Sequence, residues 1–204
     1  MAGLKRRGKL LSMEVSRTQL PGVIVLTPKV FTDERGFFAE VWHQARYLDA
    51  GIRETFVQEN VSRSARNVIR GLHFQNPRAQ AKFVSVLEGE VYDVAVDIRV
   101  GSPTFGRATG VVLSAENHRQ VYIPAGFAHG FCVTSESALF AYKCSDYYAP
   151  QSEWGIAWND PDLEIDWPVA SPVISEKDQT HPRLRQIERS KLPLYDLGAA
   201  RLVG

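Results

Sequence analysis

Two histidines stand where a strand-rich chain could do chemistry. His73 sits in "VIRGLHFQ" (68–75), after Arg70 and Gly71, and His129 sits in "IPAGFAHGFCV", behind a Pro-x-Gly turn. Lys82 in "AQAKFV" and Tyr142 in "ALFAYKCSD" are the other proton-bearing side chains on apolar, strand-like segments. An imidazole can ligate a metal, act as a base near neutral pH, or sit hydrogen-bonded in a core.

The metal option is tested by counting ligands. Pro124, Gly126 and His129 match the second half of the pattern that metal-binding cupin barrels use. The first half requires a His-x-His pair followed by an acid. After His73 the matching position is Gln75, and the acid region carries Lys82. A catalytic divalent ion wants at least three protein ligands and one open position. A protonated lysine has no lone pair to give and repels the ion. The cupin-type metal site is thereby excluded, and acid–base chemistry remains.

Strand phase limits how these residues can meet. Under strict alternation Arg70, Leu72 and Phe74 share one face, and Gly71, His73 and Gln75 the other. In "FAYKC" the same rule groups Phe140, Tyr142 and Cys144. A twist or bulge near Gly71 is needed to bring Arg70 and His73 to one mouth.

The elements that must position them are mostly strands. From Val23 to about Ser145, short segments rich in β-branched and aromatic residues alternate with turns such as "DERG", "NPRA", "LEGE" and "VGSPTFG". Many short strands at even spacing indicate a sandwich or barrel, and the count suits a jelly roll. One early helix is expected in "HQARYLDAG", closed by Gly51. A second is expected in "HPRLRQIER", opened at His181-Pro182. The tail from Pro150, richer in Pro, Trp and Asp, is expected to wrap the barrel as part of one domain spanning 13–204. Residues 1–12 read as a disordered extension, with Met13 a candidate start.

Composition removes other classes. The 204 residues carry 24 Lys+Arg against 23 Asp+Glu, so no charge excess calls for nucleic acid. No stretch approaches membrane-spanning length, and the N-terminus lacks the apolar run of a secretory signal. Cys132 and Cys144 are too few for a disulfide framework, which fits a reducing cytoplasm. The sequon at Asn60-Val61-Ser62 reads as chance.

Long motifs carry a closer resemblance. "PKVFTDERGFFAEVW", "FVQENVSRSARNVIRGLHFQ", "GEVYDVAVDIRVGSPTFG", "VLSAENHRQVYIPAGFAHGF", "YKCSDYYAPQSEWGIAWNDP" and "ISEKD" occur in this order. With them the chain resembles the dTDP-4-dehydrorhamnose 3,5-epimerases, cupin-fold enzymes, over about residues 20–178. That resemblance implies an all-β cupin-type jelly roll with short peripheral helices. It implies epimerisation at C3 and C5 of dTDP-4-dehydro-6-deoxy-D-glucose, giving dTDP-4-dehydro-L-rhamnose, with no cofactor and no metal.

The resemblance also assigns roles. His73 matches the base, Asp178 its supporting acid, Tyr142 the opposing proton donor, and Lys82 the cation near the 4-keto oxygen. Phe31, Arg35, Glu40, Gln58, Asn60, Arg70, His129, Tyr148, Glu153 and Lys177 match substrate-binding positions, with Tyr148 stacking on thymine. It further implies a cytoplasmic homodimer in which the segment holding Phe31, Arg35 and Glu40 serves the neighbouring site.

The residue types suit the reaction. A proton beside a ketone becomes removable when the enolate oxygen is stabilised, which an ammonium in a water-poor cavity does. A base and an acid on opposite faces of the ring invert the carbon between them. Two other readings remain: a C3-only or C5-only epimerase, and a non-catalytic nucleotide-sugar-binding cupin. Taken singly, Asp93 and Asp97 read as inward or turn-stabilising, Trp154, Trp158 and Trp167 as packing, and His43, His118 and His181 as surface residues.

Overall fold

The computed structural model describes residues 13–196. The extension expected over 1–12 lies outside the described residues, as does the end of the tail.

The turn-punctuated apolar segments form thirteen strands. These are β1 (Glu14–Arg17), β2 (Ile24–Thr27), β3 (Val30–Asp33), β4 (Gly36–Ala39), β5 (Gln58–Ala65), β6 (Ile69–Gln75) and β7 (Lys82–Glu88). They continue with β8 (Glu90–Asp97), β9 (Ala108–Ser114), β10 (Gln120–Ile123), β11 (Phe127–Val133), β12 (Ser137–Cys144) and β13 (Glu153–Gly155). Six strands order as β1-β2-β10-β7-β12-β5 and five as β13-β6-β11-β8-β9, while β3 and β4 pair as a separate hairpin. All strand pairs are antiparallel. The fold is all-β, as the strand spacing indicates, and it is the cupin-type jelly roll that the resemblance implies.

Burial sorts into three layers. Val84, Val86 and Phe140 of the six-stranded sheet meet Val91, Phe127, Phe131 and Val133 of the five-stranded sheet in the interior. On the outer face of the five-stranded sheet, Leu72, Phe74, Val94, Val96 and Ala128 are covered by Ile156, Leu163, Leu184, Ile187 and Leu192 of the C-terminal segment, with Trp154 and Trp167 packed alongside. On the outer face of the six-stranded sheet, Ile24, Leu26 and Phe83 pack under Tyr47 and Ile52. Burying both faces of both sheets removes apolar area that one core of this size would leave wet.

The helices only partly follow the sequence. The first forms as α1 (Gln44–Asp49), with Gly51 beyond it at φ +100°, a conformation that glycine adopts without Cβ strain. The helix expected over 181–189 does not form. That stretch makes two three-residue 3₁₀ turns, Leu184–Gln186 and Arg189–Lys191, because Leu184, Ile187 and Leu192 each turn inward onto the sheet. A short helix forms earlier instead, α2 (Glu176–Gln179), where the Ser175 side chain accepts from the Asp178 N–H. No helix among the described residues is long and apolar enough to cross a membrane.

Candidate active site

The interior between the sheets opens into two adjoining cavities. The larger, about 560 Å³, is lined by Arg70, His129, Phe131, Phe140, Ile174, Lys177 and Asp178 among others. The smaller, about 310 Å³, is lined by Gln58, Asn60, Gln75, Cys144, Tyr148 and Glu153 among others. His73, Lys82 and Tyr142 line both, so they stand at the junction. His73 projects from β6 in the five-stranded sheet, whereas Lys82 (β7) and Tyr142 (β12) project from the six-stranded sheet. The imidazole and the phenol therefore face the junction from opposite walls.

A bulge creates this arrangement. On β11, His129 pairs with His73 and Phe131 with Arg70, so two steps on one strand meet three on the other. The extra residue falls at Gly71-Leu72, and Gly71 has φ +123°. A Cβ on Gly71 would lie 2.5 Å from Gly130 Cα, so only glycine allows β6 and β11 to approach this closely. The slip corrects strict alternation: Leu72 and Phe74 go to the outer layer, while Arg70 crosses to His73's side and lines the larger cavity. Phe140, Tyr142 and Cys144 do share the inner face of β12.

His73 is held from behind. Its Nε2 lies 2.7 Å from Asp178 Oδ1, and Asp178 Oδ2 accepts the Gly71 N–H at 3.3 Å. Burial alone would raise the Asp178 pKa. The hydrogen bond and charge of His73, the Gly71 amide and the nearby His181 outweigh it and hold the pKa at about 2. An ionised Asp178 fixes the proton of neutral His73 on Nε2 and leaves Nδ1 with the lone pair.

Lys82 stands opposite, with no ion-pair partner among the described residues. Desolvation lowers its pKa, and the charges of Cys144, Asp93 and Glu153 restore only part of the loss. Its Nζ lies 5.9 Å from the centre of the Tyr142 ring. Burial raises the Tyr142 pKa, with Cys144 adding to the effect, so the phenol keeps its proton at neutral pH. His129 is buried and bonded through Nε2 to Asp93 Oδ2 at 2.8 Å. Desolvation lowers its pKa against the pull of Asp93.

The rim is polar. Tyr148 donates its hydroxyl to Glu153 Oε2 at 2.8 Å, and Lys177 Nζ reaches the same oxygen at 2.6 Å. Gln58 accepts the Tyr148 N–H at 2.9 Å and donates to Asn60 Oδ1 at 3.1 Å. Arg70 donates Nε to Ser64 Oγ at 2.9 Å. Of the site residues expected from sequence, Phe31, Arg35 and Glu40 line neither cavity. Phe31 and Arg35 belong to the β3–β4 hairpin, where Arg35 pairs with Asp33, and Glu40 is paired with Arg46.

Asp93 and Asp97 take the inward and turn-stabilising parts expected of them: Asp93 is the buried partner of His129, and Asp97 binds Arg99, Ser102 and Thr104 to close a turn. Trp154 and Trp167 do pack. His43 and His118 are half-buried rather than surface residues, and His181 lies beside Asp178, its Nε2 3.3 Å from Oδ1. The one signal for His181 was its position three residues after Asp178, just beyond the C-terminal end of α2. Among the described residues, one group with metal-ligating atoms close together is His73, Asp178 and His181.

Comparison with known proteins finds similar chains. The family model described as dTDP-4-dehydrorhamnose 3,5-epimerase matches residues 17–186. The enzyme of that name from Pseudomonas aeruginosa is 56% identical over 169 residues, 82% of this chain and 93% of the relative. The dTDP-4-dehydrorhamnose 3-epimerase of Streptomyces niveus is 43% identical over 86% of each chain. A crystal structure of the dTDP-6-deoxy-D-glucose-3,5-epimerase of Legionella pneumophila, in complex with dTDP-4-keto-L-rhamnose, superposes with a TM-score of 0.88. It is 52% identical, covering 91% of this chain and 100% of that one.

Proposed function

The chain belongs to the dTDP-4-dehydrorhamnose 3,5-epimerase family, and from that membership we propose that it epimerises C3 and C5 of dTDP-4-dehydro-6-deoxy-D-glucose to dTDP-4-dehydro-L-rhamnose. The observation that carries this reading is the junction, where His73 and Tyr142 stand on opposite walls with Lys82 between the two cavities.

In this reading His73 Nδ1 takes the proton from the carbon beside the ketone, and Asp178 stabilises the imidazolium that forms. Lys82 donates to the developing enolate oxygen, and its lowered pKa makes the ammonium a better donor than a solvated lysine. Tyr142, still protonated, returns a proton from the opposite wall and the centre inverts. His73 then releases its proton to solvent and Tyr142 regains one, which restores both groups for a second round at the other carbon. Arg70 suits the diphosphate because a guanidinium offers a bidentate fork. Tyr148 at the mouth of the smaller cavity suits stacking on thymine. Gln58, Asn60, His129, Glu153 and Lys177 complete the polar lining. A homodimer that donates Phe31, Arg35 and Glu40 to the neighbouring site fits a hairpin that lines neither cavity of its own chain.

The test is solvent-deuterium exchange on the dTDP-4-keto sugar, followed by NMR. Label is expected at both C3 and C5. Label at one carbon selects a mono-epimerase, the activity named for the Streptomyces niveus relative. No label at either carbon rejects catalysis on this sugar.

A further inference from the structure

Asp178 is approached by a second imidazole that epimerisation leaves unused. His181 Nε2 lies 3.3 Å from Asp178 Oδ1, and its ring stands edge-on to His73 with centroids 5.8 Å apart. That nitrogen is buried and makes no hydrogen bond. It reaches its position because residue 155 is glycine: a Cβ there would lie 2.2 Å from His181 Nε2. A buried ring nitrogen that makes no hydrogen bond is costly, and this one lies within ion-pair distance of a carboxylate.

The three ligand atoms, one each from His73, Asp178 and His181, lie within 4.8 Å of one another. Zinc binds nitrogen and oxygen at about 2.0–2.2 Å, so two ligands of a tetrahedral ion sit roughly 3.3 Å apart. The Asp178–His181 pair already has that spacing, and the 2.7 Å His73–Asp178 pair needs a small opening. We propose that His73, Asp178 and His181 form an inhibitory site for a zinc-class divalent cation. Two imidazoles and one carboxylate favour zinc, cobalt or nickel over magnesium or calcium.

The donor atoms suit the ion: a neutral imidazole nitrogen and a carboxylate oxygen each offer a lone pair. Neutral His73 must move its proton from Nε2 to Nδ1 to ligate through Nε2, with no net proton released. Nδ1 then has no lone pair with which to accept a proton from the sugar. Binding thus disables the base. The inhibitory consequence rests on His73 being the base; the binding itself does not.

Zinc titration of the full chain by calorimetry, zinc K-edge absorption and the deuterium-exchange assay test this. One ion per chain, two imidazoles in its shell and chelator-reversible inhibition are expected. His181→Gln should weaken binding by at least about tenfold, with inhibition shifting in parallel when scored against that variant's own metal-free rate. Unchanged zinc affinity in His181→Gln overturns the proposal, and so does a shell with fewer than two imidazoles. If the variant fails to fold, the absorption spectrum of the wild type decides alone. A bound ion with two imidazoles supports the site whether or not the metal-free protein exchanges deuterium.

Discussion

Lys82 and Asp178 carry opposite charges into the same interior, and burial treats them differently. Lys82 has no ion-pair partner among the described residues, so desolvation lowers its pKa and the folded state bears the cost. In the pH range between its folded value and the ordinary value of about 10.4, the unfolded chain binds more protons, so stability rises with pH there. Lys82→Met should therefore melt at a higher temperature at neutral pH while losing about 10²–10³-fold in exchange rate. A variant that lost both stability and rate would contradict a cation held for function. Asp178 stabilises the folded state instead, and here too stability rises with pH. Its folded pKa of about 2 lies below the ordinary value of about 3.9, so its contribution is full above pH 4 and vanishes as pH falls toward 2. Urea unfolding should find Asp178→Asn less stable by about 2 kcal/mol at pH 7, with the gap closing near pH 2. Exchange should fall about 10²–10⁴-fold. A stability gap independent of pH would refute the His73–Asp178 coupling. Residue type and motif made His73, Lys82 and Tyr142 legible, because each is polar on an apolar strand. Asp93 was legible as inward but its partner His129 was not, since pairing across strands leaves no local pattern, and His181 offered only its spacing from Asp178.

At the scale of elements, the strands were readable because apolar runs and turn residues alternate throughout. Phase was not, because it depends on the slip at Gly71-Leu72, which no period-2 pattern encodes. The glycine itself was the one clue. Gly71→Ala places a Cβ 2.5 Å from Gly130 Cα and 2.8 Å from the His129 carbonyl, at φ +123°. A loss of about 2–3 kcal/mol follows, or roughly 4–12 °C in Tm for a chain of this size. Exchange by the folded fraction should fall as well, because Arg70 and His73 share the cavity only through this bulge. A stable Gly71→Ala protein with unchanged rate would show that the slip is not what aligns them. The C-terminal turns were misjudged for the opposite reason. Residues 181–189 contain helix formers, but Leu184 and Ile187 are drawn onto the sheet, and tertiary burial overrides propensity. Helix α2 escaped notice because a one-turn element has no periodicity, and its Ser175 cap was its sole signal.

For the whole molecule, the question is whether one chain makes one site. The β3–β4 hairpin carries Phe31 and Arg35, yet neither cavity includes them. Phe37 and Phe38 on the same hairpin are 66% and 64% exposed, an apolar tip that a monomer would leave in water. A neighbouring subunit that receives this hairpin would bury the tip and bring Arg35 to a site whose base is another chain's His73. Trading hairpins in this way makes catalysis by two defective chains additive in a countable manner. Arg35→Ala and His73→Ala proteins should each be nearly inactive alone. Refolded together in equal amounts, half of the dimers are mixed, and each mixed dimer holds one site with both native residues. Exchange activity should therefore recover to about one quarter of wild type. Recovery should disappear when Phe37→Ser and Phe38→Ser are added to both chains, and sedimentation should then show monomers. Mixed dimers that form without any recovery of exchange would mean that each chain completes its own site.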